Sequence, residues 1–226
     1  MSSAAELKRL AKLKQKKHRE AQRRFLAEGE SLVRESPAPP DATFTEPMAV
    51  RRLSTLTTPT GPVAVFPFLD VDQEDLMSSR DRILLLDGVQ DPGNVGTVIR
   101  CAHAFGAGVA LSKGSADLYN PKTVRATMGS IFHAPVAREV ESPAFLGLAR
   151  SAGFVPVAAV PEGGETPRSL PTGKLVLTVG SEGRGLTQDV LAACQKRVTV
   201  PSRAASLNVA VAASILLYEA YMRVLP

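Results

Sequence analysis

The sequence contains few cysteines, and their positions exclude several classes of site. Only two of its 226 residues are cysteines, Cys101 and Cys194. They form no Cys-x-x-Cys pair and show no Cys/His ligand spacing, so we expect neither a zinc site nor a disulfide framework. We predict that the protein holds no metal and works in a reduced, cytosolic compartment.

Long apolar runs are also missing. No stretch reaches 18 consecutive apolar residues, so no transmembrane helix is expected. The opening sequence MSSAAELKRLAKLKQKKHREAQRR lacks the apolar segment of a secretory signal. We therefore expect a cytoplasmic protein without membrane contact. Its 44% hydrophobic content suffices for one sizeable core and a small additional module.

Excess positive charge is absent from most of the chain and concentrated at one end. The net charge is +5, but residues 1–24 hold nine of the 27 basic and two of the 22 acidic side chains. The remainder holds 18 basic and 20 acidic side chains, a net charge of −2. Such a basic segment favours phosphate binding over the alternative of a solvated helix or tail. Its candidate RNA-binding residues are Lys14, Lys16, Lys17, Arg19, Arg23 and Arg24.

The first 72 residues predict a small, shortened α/β module. Apolar residues recur at roughly helical spacing in residues 1–24, which predicts one basic helix. The proline-rich stretch 36–47 predicts a loop or linker without an element of its own. A short helix, a turn and a strand are expected over 48–69.

From Arg82 onward, short β-rich runs alternate with helical patterns. This alternation predicts a second domain, residues 78–226, with a parallel sheet and helices on both faces. The expected strands are 82–87, 108–112, 134–139, 154–160, 174–180 and 197–201. The expected helices are 94–105, 121–130, 143–152, 187–193 and 206–223.

The usual nucleotide fingerprints are missing from this pattern. The first predicted strand is followed by DGVQDPGNVGTVIR, which contains neither G-x-G-x-x-G nor G-x-x-x-x-G-K-[ST]. The expected strand at 174–180 is followed by GSEGRGLT, and that at 197–201 by PSRAASLNVAVAASILLYEA. Open α/β sheets bind ligands beyond the carboxyl ends of their strands, so these three segments are the candidate site. Taken alone, Asn94 is better explained as a helix cap than as a functional residue.

Together, the three segments resemble the motifs of the SpoU/TrmH family of RNA ribose 2′-O-methyltransferases in the SPOUT superfamily. DPGNVGTVIRCAHAFGA is similar to the first motif, LTVGSEGRGLT to the second and VTVPSRAASLNVAVAASILLYEA to the third. The order matches over residues 82–223. KKHREAQRRFLAEGESLVRE and RRLSTLTTPTGPVAV also resemble the RNA-binding domain that precedes the catalytic domain in many members.

The resemblance implies a SPOUT-type sheet with a C-terminal trefoil knot, a homodimer, and S-adenosylmethionine as cofactor. It implies that the cofactor-binding residues include Thr178, Gly180, Val200 and Leu207. It makes Asn94, Arg100, Glu182, Ser206 and Asn208 the catalytic-site residues. Because a guanidinium does not lose its proton, we assign Arg100 to the phosphate and the developing alkoxide rather than to base catalysis. His103, one turn beyond, is expected to be an ordinary helix-face histidine.

RNA is the expected partner, with ribosomal RNA favoured because the resemblance includes an N-terminal RNA-binding domain. Transfer RNA is an alternative substrate. A non-catalytic RNA-binding or ribosome assembly factor on the same fold is a second alternative, and it would be favoured if the polar motif residues were absent. A Rossmann-type nucleotide enzyme is disfavoured by the missing glycine fingerprints.

Overall fold

The amino-terminal part of the chain folds around a three-stranded antiparallel sheet. The computed structural model of the protein describes residues 3–59 and 61–224. The strands lie in the order β1-β3-β2, and Leu26 of β1 pairs with Val65 of β3. The elements are α1 (Ala4–Ala11), a 3₁₀ helix (Lys12–Lys14), α2 (Lys16–Gln22), β1 (Arg24–Glu28), α3 (Glu30–Arg34), β2 (Ala42–Phe44), α4 (Pro47–Leu53) and β3 (Val63–Pro67).

The prediction of one basic helix over residues 1–24 is wrong, and its first two residues lie outside the described part of the chain. Gln15 has extended backbone and separates the 3₁₀ helix from α2. Arg23 has a left-handed conformation (φ 51°), which ends α2 and turns the chain into β1. The break follows from packing, since Leu10 and Leu13 are both buried in the core of this part of the chain. Helical spacing of apolar residues could not reveal it.

The prediction that 36–47 holds no element is also wrong. Residues Ala42–Phe44 form β2, which pairs with β3, and Pro47 is the first residue of α4. Phe44 is buried against the helices of this part of the chain. A buried aromatic side chain and a free sheet edge thus override the local proline content.

The predicted parallel sheet is confirmed. Its six strands lie in the order β6-β5-β4-β8-β7-β9, and every pairing between them is parallel. The strands are β4 (Arg82–Asp87), β5 (Gly108–Ser112), β6 (Val136–Val140), β7 (Val155–Ala159), β8 (Leu175–Gly180) and β9 (Lys196–Val198). The helices are α5 (Gln73–Ser79), α6 (Pro92–Ala104), α7 (Pro121–Ala126), α8 (Ser142–Ser151), α9 (Gln188–Ala193) and α10 (Val209–Met222), with 3₁₀ helices at Ser130–Phe132 and Pro167–Ser169.

Helices cover both faces of this sheet, as predicted. Leu84 and Leu86 of β4 join a core with α6, α7 and α10, whereas Ile83 and Leu85 join a second core with α5, α8 and α9. A strand buried on both faces explains the continuous apolar run ILLL. Helix α5, which the sequence pattern did not predict, supplies the buried side chain of Leu76 to the second core.

Two predicted helices have a bound that differs from the structure by three residues or more. The helix expected at 121–130 ends at Ala126, because Met128 and Gly129 adopt positive φ values of 49° and 93°. The last helix begins at Val209 rather than at residue 206, with Asn208 as its cap. The predicted domain end at residue 226 lies outside the described residues.

The amino-terminal sheet packs directly on the rest of the molecule. Phe25 and Phe66 belong to the same core as α6 and α10, and the Phe25 ring lies 4.9 Å from that of Tyr119. The buried guanidinium of Arg19 pairs with Asp117 at 2.5 Å. Arg138 pairs with both Glu20 and Asp70, at 2.7 and 3.0 Å. These contacts join the two parts through apolar packing as well as charge.

Candidate active site

The fold brings the three motif segments to one edge of the parallel sheet. β4 and β8 are neighbours, so the loops at their carboxyl ends lie side by side. The β4 loop leads into α6, and the β8 loop runs through residues 181–187 into α9. The segment after β9 returns to the same edge before α10 begins.

Three predicted residues form a closed hydrogen-bonded cluster there. Asn94 Nδ2 donates to Glu182 Oε1 at 2.6 Å, and Asn208 Nδ2 donates to the same oxygen at 2.9 Å. Asn208 Nδ2 also lies 3.1 Å from Asn94 Oδ1, which accepts from it. We call this the Asn94–Glu182–Asn208 cluster. It ties together the beginnings of two helices and the glycine-rich loop, one residue from each motif.

Helix starts fix the orientation of both amides. Asp91 Oδ1 accepts from the backbone N–H of Asn94 at 2.9 Å, as the cap of α6. Asn208 Oδ1 accepts from the backbone N–H groups of Ala210 and Val211, as the cap of α10. Asn208 is therefore itself a helix cap, and Asn94 is held by the cap residue Asp91. Both still present their side-chain amides to Glu182.

A cavity of about 470 Å³ adjoins the cluster. Its walls come from the ends of β7 and β8, the loop at 181–186, the segment at 200–207 and one side of α10. Gly180, Val200, Ser206 and Leu207 line it, and so does Glu182, which the cavity and the cluster share. The volume is in the range of pockets that hold small organic ligands.

Gly180 allows the glycine-rich loop to fold back on its strand. A Cβ atom at this position would lie 2.3 Å from the carbonyl carbon of Gly185. Ser181 and Gly185 form a β-bridge that closes this turn. Only glycine permits this close approach of two backbone segments, which shapes one wall of the cavity.

The structure leaves two predicted catalytic residues outside the cluster's hydrogen bonds. Arg100 is exposed on α6, six residues after Asn94, and its side chain makes no hydrogen bond or ion pair within residues 3–59 and 61–224. Ser206 is exposed at the wall of the cavity.

Thr178 does not line the cavity. It is fully buried in β8, where its hydroxyl faces Cys194 Sγ at 4.0 Å. Its neighbour Val179 lines the cavity instead. Burial also raises the pKa of the Cys194 thiol.

Sequence reasoning missed Asp91 and Lys122. Lys122 Nζ on α7 lies 3.2 Å from Asp91 Oδ2. The hydrogen bond from the backbone N–H of Asn94 is the main cause that holds the pKa of the Asp91 carboxyl below its usual value, and Lys122 contributes in the same direction. The Asp-Pro dipeptide three residues before Asn94 is the signal that could have identified this cap.

The six candidate RNA-binding residues have different surroundings. Arg19 is 3% exposed and donates to the carbonyls of Leu13 and Lys14, besides its pair with Asp117. The charge of Arg19 is therefore satisfied inside the protein, which leaves no route to a phosphate. Three others form exposed or part-exposed ion pairs: Lys16 with Glu139, Arg23 with Asp70 and Arg24 with Asp41.

Two candidates remain. Lys17 is exposed. Lys14 is partly buried, and desolvation lowers its pKa.

The described residues contain neither a metal-binding group nor a spanning helix. No three His, Cys, Asp or Glu side chains within residues 3–59 and 61–224 are arranged to hold a metal ion. No helix in the same part of the chain is long and apolar enough to cross a membrane.

Comparison with known proteins identifies both parts of the chain. Residues 81–218 match the SpoU rRNA Methylase family, and residues 4–64 match the MRM3-like substrate binding domain. The chain is 34% identical to the 23S rRNA (guanosine(2553)-2′-O)-methyltransferase RlmP of Bacillus subtilis (strain 168), over 92% of each chain.

Solved structures of similar sequence share the fold. An AdoMet-bound rRNA methyltransferase from Sinorhizobium meliloti is 29% identical, with a TM-score of 0.88 over 100% of this chain and 98% of that one. The SpoU methyltransferase AviRb from Streptomyces viridochromogenes, in complex with AdoMet, is 28% identical, with a TM-score of 0.84 over 97% and 98%. With a family match over more than half of its length and an α/β fold that these structures share, the chain belongs to the SpoU rRNA methylase family.

Proposed function

We propose that this protein transfers a methyl group from S-adenosylmethionine to a ribose 2′-hydroxyl of RNA, with ribosomal RNA as the substrate. The observation that carries the proposal is the Asn94–Glu182–Asn208 cluster, which shares Glu182 with the adjoining cavity. Its relatives support both halves of the reaction. RlmP is named as a 23S rRNA 2′-O-methyltransferase, and the Sinorhizobium meliloti and AviRb structures contain AdoMet.

The cavity fits such a cofactor. Its apolar side chains, among them Val160, Val200 and Leu207, suit the faces of a purine ring. The turn at Gly180 brings backbone amide and carbonyl groups of residues 180–186 to the wall, where they can bond the edges of a nucleoside. We assign Gly180, Val200 and Leu207 to the cofactor and leave Thr178 out, because it does not line the cavity.

The chemistry requires alignment and charge stabilisation. When bound, the cofactor supplies an electrophilic methyl group on its sulfonium sulfur. A ribose 2′-hydroxyl is a weak nucleophile at neutral pH, so the protein must hold this oxygen in line and stabilise the negative charge that develops on it. Glu182, fixed by two amide donors, borders both the cluster and the cavity and would face the ribose there, and Ser206 lines the wall of the same cavity.

Arg100 supplies the cation in this proposal. Its exposed guanidinium is free to bind the phosphate beside the target ribose and the developing alkoxide. A guanidinium does not lose its proton in proteins, so the role is electrostatic.

We divide the chain into a substrate-binding module, residues 1–72, and a catalytic domain, residues 78–226. The match of residues 4–64 to a substrate binding domain supports the first assignment. The packing of α5 on the parallel sheet supports placing the segment around residue 78 with the catalytic domain. We further propose that the carboxyl-terminal chain forms a trefoil knot; the convergence of the second and third motif segments on one cavity supports it.

A homodimer in the cytoplasm is the proposed assembly. Val211, Ile215, Tyr218 and Met222 recur at helical spacing on α10 and are 40–49% exposed, which forms one apolar stripe. Ile215→Glu should convert the dimer to a monomer in light scattering. Leu148→Glu, at an exposed apolar residue on α8, is the matched control that should remain a dimer. A wild-type monomer would contradict the proposal.

Methyl transfer is tested on an unmodified 23S rRNA transcript and a tRNA mixture with labelled S-adenosylmethionine. Nuclease digestion and mass spectrometry then identify the methylated nucleoside. We expect label in a 2′-O-methylnucleoside of the rRNA. Label in tRNA would change the substrate class, label on a base would overturn the ribose assignment, and binding of RNA without transfer would favour an assembly factor.

A further inference from the structure

Helix α7 lies between the Asn94–Glu182–Asn208 cluster and the amino-terminal module, and it carries two cations on one face. Lys122 and Arg125 are three residues apart, so their side chains are neighbours. Lys122 Nζ lies 3.2 Å from Asp91 Oδ2, beside the site. Arg125 donates from a guanidinium nitrogen to Thr55 Oγ1 of the module at 2.7 Å. The pair therefore spans the surface between the two parts.

Lys122 can leave its present partner at little cost. The side chain of Lys122 is 62% exposed and that of Asp91 is 44% exposed. An ion pair this open to solvent contributes on the order of 0–1 kcal/mol. Asp91 also retains its bond to the backbone N–H of Asn94 when the lysine departs. A phosphate can therefore attract the ammonium group without disturbing the helix cap.

Arg125 has unused hydrogen-bonding capacity. Arg125 forms an ion pair with the 7% exposed carboxylate of Glu28, but at 3.7 Å this contact is longer than a hydrogen bond, and Glu28 already accepts from the Ser54 hydroxyl and the Thr55 backbone N–H. A guanidinium has five N–H donors. Within residues 3–59 and 61–224, the Arg125 side chain makes one hydrogen bond, to Thr55. Its side chain is 29% exposed. Donors therefore remain for a phosphate oxygen.

The position of α7 relative to the site is fixed by close helix packing. A Cβ atom on Gly96 of α6 would lie 2.4 Å from the Cβ atom of Ala126 on α7. The two helices approach this closely only because residue 96 is glycine. A phosphate held by Lys122 would therefore lie at a set distance from Asn94, two residues before Gly96.

We propose that Lys122 and Arg125 are positioning residues that bind successive phosphates of the substrate RNA as it crosses from the module to the catalytic site. The inference rests on the proposed RNA methyltransferase function. It names which part of the surface the RNA follows, and it adds two residues from outside the three motifs.

The test compares Lys122→Ala and Arg125→Ala with Arg150→Ala, which removes one exposed positive charge from α8 on the other face of the sheet. The probe is an unmodified 23S rRNA transcript, measured by filter binding over a range of salt concentrations and by steady-state transfer. Lys122→Arg and Arg125→Lys test rescue by a conserved charge. Thermal unfolding and S-adenosylmethionine affinity report on fold and cofactor site.

We expect each alanine variant to raise the RNA Kd and KM by about threefold to tenfold and to flatten the salt slope by about 0.7–0.9, as for one lost phosphate contact. The cofactor Kd and kcat should change little, and Lys122→Arg should bind like the wild type. Unchanged RNA binding and an unchanged salt slope in both alanine variants would overturn the proposal that Lys122 and Arg125 bind RNA phosphates. An equal effect of Arg150→Ala would also overturn it. Binding is measured separately from methyl transfer. A wild-type protein that binds this RNA but fails to methylate it would therefore refute the proposed function, and the binding data would still test whether Lys122 and Arg125 contact RNA phosphates.

Discussion

The side chain of Arg100 has a direct role in the proposed chemistry but makes no contact that stabilises the described part of the fold. Its guanidinium is exposed and has no hydrogen-bond or ion-pair partner within the described residues. We expect Arg100→Ala to lower the single-turnover rate of methyl transfer by about 10²–10³, since one well-placed donor to developing charge has that effect. Cofactor affinity and the unfolding temperature should stay at wild-type values.

Arg100→Lys should rescue transfer poorly, because an ammonium group cannot reproduce the two-pronged contact of a guanidinium. Arg150→Ala is the control for loss of one surface charge. Near-normal transfer by Arg100→Ala would move the cationic role to another side chain.

We expect protonation of His103 to make the stability of the protein depend on pH. Its ring stacks on that of His133 with centroids 4.6 Å apart, and its Nδ1 lies 3.2 Å from Ser130 Oγ. Although His103 is exposed, partial desolvation and, to a smaller extent, the charge of His133 lower its pKa below the usual 6.5, while Glu35 partly opposes the shift. The unfolded chain therefore binds a proton at higher pH than the folded chain does, and stability falls as pH drops through 6.5 toward the lowered pKa.

Urea unfolding between pH 8 and pH 5 measures this effect. His103→Gln should show a weaker loss of stability below pH 6.5 than the wild type. Glu35→Gln should show a stronger loss, because the opposing carboxylate is gone. Parallel stability curves for the wild type and His103→Gln would exclude the histidine as the cause.

At this scale the resemblance indicated that Asn94, Glu182 and Asn208 belong to one site, but it indicated neither their hydrogen bonds to one another nor which neighbouring side chains line the cavity. The three residues belong to segments that follow adjacent strands or begin a helix at the same sheet edge. Thr178 could not be oriented, because β8 is buried on both faces and an apolar pattern does not reveal which face holds the cavity. Arg19 could not be recognised as buried, since its carboxylate partner is 98 residues away.

Among the elements, the loop after β8 depends on Gly180. A methyl group there would overlap the backbone of Gly185, so Gly180→Ala must push the loop off its strand. Overpacking of this kind costs about 1–3 kcal/mol, and we expect the cofactor Kd to rise about tenfold or more. Isothermal titration with S-adenosylmethionine measures it.

Gly173→Ala, in the turn before β8, is the matched control. Nothing lies within 4 Å of a Cβ atom at residue 173 and this residue does not line the cavity, so the variant should bind the cofactor like the wild type. Equal affinities for the two variants would show that the turn at Gly180 does not shape the cofactor site.

The elements that the sequence predicted well are those with strong local signals. The six strands of the parallel sheet and its long helices follow from apolar runs, caps and glycine turns. β2, the break at Gln15 and the end of α7 depend instead on distant contacts. For example, the turn after α7 places Gly129 where a Cβ atom would lie 2.5 Å from Glu35 of the module. No local pattern encodes such a neighbour.

Over the whole molecule, the basic amino-terminal segment, residues 1–24, contributes positive charge and also buried side chains of the hydrophobic core. Leu10 and Leu13 are buried in the module, and Arg19 and Glu20 pair with residues of the catalytic part. Removing one partner of a buried ion pair costs about 3–5 kcal/mol. Deletion of residues 1–24 should therefore lower the unfolding temperature, so that a loss of RNA binding in that variant would not report on phosphate contacts alone.

Neutralising only exposed lysines separates the two contributions. Lys8, Lys12 and Lys17 are exposed, and none forms an ion pair within the described residues. We expect the triple variant Lys8→Gln, Lys12→Gln, Lys17→Gln to keep the wild-type unfolding temperature and cofactor Kd. Its affinity for an unmodified 23S rRNA transcript should fall, and the salt slope should flatten by about 2–3, because each of the three lost phosphate contacts contributes about 0.7–0.9. An unchanged salt slope in this well-folded variant would show that these three lysines do not contact RNA phosphates.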